Sequence, residues 1–177
     1  YRLPAGNSIE SRISRIDNLY EDKYNNIWVL SYDNQAYRFN VETESFSALN
    51  SLETFKKNPF YVSQIATMES GIVWLASEKQ GCISITDSLF STNVYNTRNQ
   101  NITDDFVHAI YEDKSQNSWI LTNKGLTFVP AGTSTPVFYF HPQSSGRYKE
   151  IAPFYTAVEL ENSIWFGSNN GIIWKYD

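Results

Sequence analysis

Four tryptophans, Trp28, Trp74, Trp119 and Trp165, recur at intervals of 46, 45 and 46 residues. A fixed period of about 40–50 residues marks a repeat architecture, whose units bury their apolar faces only by stacking on one another. The repeat is wider than one residue. Leu19-Tyr20-Glu21-Asp22-Lys23 followed by Asn26-Ile27-Trp28 matches Ile110-Tyr111-Glu112-Asp113-Lys114 followed by Asn117-Ser118-Trp119. Nine residues before the tryptophan stand Leu19, Ile65 and Ile110. The fourth block reads as two residues shorter there, which puts Val158 in that column. Two residues after it come Leu30, Ala76, Leu121 and Gly167; nine after, Tyr37, Ile83, Phe128 and the fifth tryptophan, Trp174; eleven after, Phe39, Ile85, Pro130 and Tyr176.

Within each run these offsets keep one parity, the period-2 signature of strands. Block one therefore predicts four strands: Arg15–Glu21, Ile27–Tyr32, Ala36–Asn40 and Ser45–Leu49, here termed A to D. The A–B turn, Asp22-Lys23-Tyr24-Asn25-Asn26, is rich in Asp and Asn, which satisfy turn backbone locally. The B–C turn carries Gly81, Gly125 or Gly171 in blocks two to four. In block three Pro130 ends strand C at Val129. Outer D strands are expected around Phe46, Leu89-Phe90 and Val137-Phe138-Tyr139-Phe140. No stretch keeps a 3.6-residue apolar period; Leu52–Asn58 predicts one helical turn between blocks. The chain thus reads as all-β: four four-stranded antiparallel repeats of about 45 residues, the pattern of β-propeller blades. Approximate blade limits are 13–50, 60–95, 105–141 and 153–177, within one segment over 1–177.

Out of phase by one strand, block four stops after strand C, while Tyr1-Arg2-Leu3 falls where a D strand belongs. Either residues 1–3 supply the fourth block's outer strand, or the chain is an arc of a larger ring. An arc would expose two blade faces and a strand edge, which predicts self-association.

Of 177 residues, 41% are hydrophobic and 16% aromatic, enough for blades covered on both faces. A net charge of −5 gives no basic footprint for nucleic acid. No apolar run reaches membrane-spanning length, so direct membrane insertion is not expected. There is no initiator Met and no visible signal peptide, as in a processed or excised piece. Single Cys82 reads as a small semi-buried apolar residue and cannot form an intrachain disulfide.

Ile102-Thr103-Asp104-Asp105-Phe106-Val107-His108-Ala109-Ile110-Tyr111-Glu112-Asp113, Asn26-Ile27-Trp28-Val29-Leu30, Lys124-Gly125-Leu126 and Ser163-Ile164-Trp165-Phe166-Gly167-Ser168 with Asn170-Gly171-Ile172 resemble the two-component regulator propeller repeat. The likeness covers nearly the whole chain. Block two reads Ser70-Gly71-Ile72-Val73-Trp74, and block four lacks the Glu-Asp turn. The resemblance implies the periplasmic sensor region of hybrid two-component histidine kinases. There, two seven-blade rings typically precede an immunoglobulin-like domain, a membrane helix and the kinase. It implies a role in which further blades of the same protein, and a homodimer, are the partners. It names no ligand site.

His108 and His141 form no metal-ligand spacing, and no metal or cofactor is expected. Adjacent Asp104 and Asp105 point opposite ways on an extended segment and read as solvated loop residues. Recurring pairs Glu21-Asp22 and Glu112-Asp113 read as scaffold. Asn101-Ile102-Thr103 is an isolated sequon. The tryptophans, identically placed mid-strand, are assigned to the core, Trp174 among them. Function in repeat folds is grafted on loops. Candidate ligand residues are therefore Tyr32, Asn34, Lys79, Asn123, Lys124, Asn169 and Asn170 in the B–C loops. Arg147 and Tyr148, beside Lys149, add the longest D–A loop, residues 142–153. Amides and charges there suit an oligosaccharide. Two other classes stand beside the sensor: an interaction scaffold, and a streptogramin-lyase-like or lactonase-like enzyme needing acidic and histidine residues around a metal.

Overall fold

Sequential hairpins organise the chain into four separate antiparallel sheets. This is seen in a computed structural model that describes residues 15–86, 91–99, 101–140, 153–169 and 171–177. Blade one comprises β1 (Ile16–Glu21), β2 (Ile27–Ser31), β3 (Ala36–Asn40) and β4 (Ser45–Ala48). Blade two has β5 (Gln64–Thr67), β6 (Val73–Ala76), β7 (Cys82–Ile85) and β8 (Thr92–Tyr95). Blade three has β9 (Val107–Glu112), β10 (Ser118–Thr122), β11 (Gly125–Val129) and β12 (Phe138–Phe140); blade four has β13 (Phe154–Leu160), β14 (Ser163–Ser168) and β15 (Ile173–Tyr176). Each sheet keeps chain order, so every pairing is a simple meander. A short helix α1 (Glu53–Lys56) forms inside the predicted helical turn. The D strand of blade two lies at Thr92–Tyr95; Leu89 and Phe90, expected to mark it, lie outside the described residues, as do residues 1–3.

Blade-to-blade packing has a direction. Trp28 and Leu30 pack against Val73, Leu75, Ile83 and Ile85 of blade two. Trp74, Ala76 and Cys82 pack against Ile110, Ile120 and Val129 of blade three. Trp119 and Leu121 pack against Phe154, Ile164 and Phe166 of blade four. Each tryptophan thus seals its blade to the next, and Trp28, Trp74 and Trp119 are each only 1% exposed. Trp165 differs. It is half-buried, because its face turns away from blade three and no described blade follows. Leu19 is 61% exposed for the mirror reason: its column, with Ile65 and Ile110, faces the preceding blade. Trp174 sits on the blade-three side of its sheet, 6.2 Å from the Phe154 ring, and is half-buried.

Turn length corrects three of the expected columns. The A–B connections of blades one to three hold five residues each, but blade four turns through Glu161 and Asn162 alone. That difference is odd, and a one-residue slip sends a side chain to the other face. Ala157 therefore pairs with Phe166 in the Leu19 column, while Val158 pairs with Trp165 and is 59% exposed. Blade three is one residue shorter between B and C. Phe128 pairs with Trp119 and shares its face, and Thr127 and Val129 take the columns assigned to Phe128 and Pro130. Gly81, at φ +78°, turns blade two where a Cβ would stand 1.9 Å from the Tyr95 carbonyl oxygen.

Candidate functional site

Of the recurring Glu-Asp pairs, Asp22, Asp113 and Glu112 are consumed by the scaffold. Asp22 accepts from the Tyr24 and Asn26 backbone N–H groups, both at 2.9 Å, and from the buried Trp28 indole at 2.8 Å. Asp113 repeats this with Ser115 N at 3.0 Å, Asn117 N at 2.9 Å and Trp119 Nε1 at 3.0 Å. Blade two has Met68 at that position, and its Trp74 indole instead donates across the blade boundary to Ser118 Oγ, 3.2 Å. Glu112 and Glu159 stand opposite the residue preceding the tryptophan in their blades. Each accepts from the A–B turn of the blade before it: Ser70 N to Glu112 at 3.0 Å, Lys114 N to Glu159 at 2.8 Å. Glu21 holds the same register position in blade one and is exposed.

Diversity is concentrated at the other end of the strands, among the B–C and D–A loops. The residues named there from sequence fall into separate groups. Tyr32 is exposed, with the Arg15 guanidinium 4.2 Å from its ring centre. Asn34 adopts φ 63° and its carbonyl accepts Val62 N at 2.8 Å, tying the loop to blade two. Lys79 is exposed and borders a cleft of about 280 Å³ with Asn96, Arg98 and Asp105. Its neighbour Gln80 clamps the preceding loop through Tyr61 N and the Pro59 carbonyl. Asn169 is exposed. Asn170, Arg147, Tyr148 and His141 lie outside the described residues.

Asn123 and Lys124 are the two that join a cluster. The His108 ring N–H at Nε2 donates to Asn123 Oδ1 at 2.7 Å. The imidazole lies between the rings of Phe106 (4.7 Å) and Tyr155 of blade four (4.2 Å), and Tyr155 is 46% exposed. Lys124 pairs with Asp104 at 2.6 Å, and that hydrogen-bonded carboxylate holds the ammonium above the usual lysine value. Asp104 also accepts Phe106 N at 2.8 Å, whereas Asp105 turns to Thr97 N and Oγ1 at 2.7 and 2.8 Å. The two carboxylates diverge as expected, but they are engaged loop braces rather than solvated groups. Three tilted, touching rings beside an amide and a cation form a surface suited to lying against a polar ring. From sequence, His108 is noted only as lacking a metal-ligand spacing, and Phe106 and Tyr155 are not singled out: Phe106 precedes β9, the register shifts at His108, and Tyr155 arrives from another blade. Among the described residues no group of three His, Cys, Asp or Glu side chains is placed to hold a metal ion. No described helix is long and apolar enough to cross a membrane.

No protein-family profile and no curated protein sequence matches this chain. Solved structures do. The extracellular domain of a hybrid two-component system from B. thetaiotaomicron superposes with TM-score 0.68 at 14% identity, over 92% of this chain and 23% of that one. A second such domain from the same organism gives TM-score 0.60 at 18% identity, over 95% of this chain and 21% of that one. Catalytically inactive virginiamycin B lyase from Staphylococcus aureus, solved with quinupristin, gives 0.57 at 14% identity, over 95% and 57%. The chain spans about a fifth of the two sensor domains. These likenesses establish a propeller-type all-β fold.

Proposed function

We propose that this chain is part of the extracytoplasmic, periplasmic sensor region of a hybrid two-component histidine kinase, recognising an oligosaccharide and relaying its binding to the kinase without turning it over. One observation carries the reading: the polar residues that repeat (Asp22, Asp113, Glu112, Glu159) are spent on turns and blade seams, while Asn123 and Lys124, in a loop that varies between blades, join the ring cluster at His108. Similarity to the two extracellular sensor domains supports it. Exposed Leu19 and Glu21 on one terminal blade, and exposed Val158 with half-buried Trp165 on the other, fit continuation into further blades.

The lyase likeness makes a propeller enzyme the competing reading. Calorimetric titration of the chain with plant and host oligosaccharides, combined with metal analysis, separates the two. Saturable binding without bound metal or product is expected, with the response lost in Asn123→Ala and Tyr155→Ala. Bound metal together with turnover would overturn the proposal.

A further inference from the structure

A second cavity lies at the opposite end of the strands. It opens between blades one and two with a volume of about 550 Å³, within the range of small-molecule sites. Its walls come from the A–B turn (Tyr24, Asn25, Asn26) and from β3 and the turn after it (Arg38, Asn40, Glu42). Trp28 forms its floor.

Repetition supplies an internal control. The same seam between blades three and four holds a cleft of about 230 Å³ with Trp119 at its floor. By register, Arg38 and Phe128 are equivalent, each paired with the tryptophan of its own blade. Val73 and Ile85 of blade two are likewise equivalent to Ile164 and Tyr176 of blade four. In the later seam Phe128 and Tyr176 close on Trp119, with ring centres 4.6 and 4.9 Å away. In the earlier seam a guanidinium and an isoleucine replace those two rings, and the space stays open. An apolar group would seal a blade here; an arginine brings a cation and N–H donors to the cavity wall.

The rest of the lining fits one ligand chemistry. Asp22 is taken up by its turn and by the indole. With the Asp22 and Glu42 carboxylates beside the Arg38 guanidinium, the lining is net negative, which disfavours an acidic ligand. Amides, guanidinium and carboxylate together give and accept hydrogen bonds, as vicinal hydroxyls require. Tyr24 supplies an aromatic face at the rim. Its ring rests on Gly71, where φ is +98° and a Cβ would meet the Tyr24 hydroxyl oxygen at 2.8 Å. Glycine at 71 therefore lets the ring lie against the backbone there.

We infer that the seam between blades one and two is a binding site for a neutral sugar of one or two rings. It is distinct from the His108 cluster at the loop end and does not depend on that surface binding anything.

The test is NMR titration of the isotope-labelled chain with glucose, galactose, mannose, maltose, cellobiose and, as the charged comparison, glucuronate. At least one neutral sugar should shift the Arg38 Nε–H and the Tyr24 and Asn26 amide signals saturably, leaving those of His108 and Asn123 in place. Arg38→Phe, which copies blade three, should weaken that binding tenfold or more. Tyr24→Ala removes the rim without touching a buried group, and it should do the same if Arg38→Phe does not fold. The inference is overturned if no neutral sugar shifts these signals, if the shifts fall at His108 instead, if glucuronate binds more tightly, or if a folded Arg38→Phe binds as well as the parent.

Discussion

Replacing Asp113 by alanine removes one carboxylate that four donor groups share: Ser115 N, Asn117 N, the Asn117 amide and the Trp119 indole. The turn donors belong to exposed or half-buried residues and regain water, costing about 0.5–1 kcal/mol each. The indole cannot, because Trp119 is 1% exposed and pressed between Phe128 and Phe166. A buried donor left without its acceptor costs about 1–3 kcal/mol. The sum is about 2.5–6 kcal/mol, which lowers Tm by roughly 5–24 °C in a chain of this size. Urea unfolding followed by circular dichroism reads it. The decisive comparison is a double-mutant cycle with Trp119→Phe, which deletes the indole N–H. On that background Asp113→Ala should cost only about 1.5–3 kcal/mol, a coupling of about 1–3 kcal/mol. Additivity within about 0.5 kcal/mol would refute the reasoning, since the indole bond would then contribute nothing.

Three further outcomes follow from single residues. Burial pushes the Tyr95 phenol up to about 12, above its ordinary 10; its contribution to stability is complete below pH 10 and is lost as pH rises through about 12. Tyr95→Phe should flatten that alkaline arm in a pH titration of unfolding. Burial likewise raises the Cys82 thiol well above its ordinary value, so Ellman's reagent should label it only at the rate of unfolding. Gly81→Ala, whose Cβ meets backbone, should cost about 3–5 kcal/mol. Gly171→Ala has the same sign of φ and nothing within 4 Å, so it should cost about 1 kcal/mol; thermal melts compare the two.

Strands were legible because their signals are local. Alternation and Asx-rich turns placed β1 to β4 to within a residue of their ends, and Pro130 placed the end of β11 at Val129. Loop length was harder to read, and it decides which face a residue takes. The two-residue turn at Glu161 moved Val158 out of the core, and the shorter loop before Gly125 swapped Phe128 for Thr127. Burial of the repeat columns depends on neighbours that no single block contains. Leu19 and Trp165 carry the same motif as Ile65 and Trp74, yet they lie on terminal faces. Of the candidate residues named from sequence, Asn123 and Lys124 join one cluster, whereas His108 and Tyr155 meet there across a blade boundary that no single block contains. Arg38 reads as one more charged residue until register sets it beside Phe128.

A tryptophan that seals its blade to the next one is the organising contact of this fold, and indole hydrogen exchange measures it residue by residue. Trp28, Trp74 and Trp119 have buried N–H groups held by Asp22, Ser118 and Asp113. In the isolated chain their indole signals should exchange slowly, near the rate set by global unfolding, while Trp165 exchanges orders of magnitude faster. Equal protection of all four, or fast exchange at Trp74, would contradict the blade-to-blade seal.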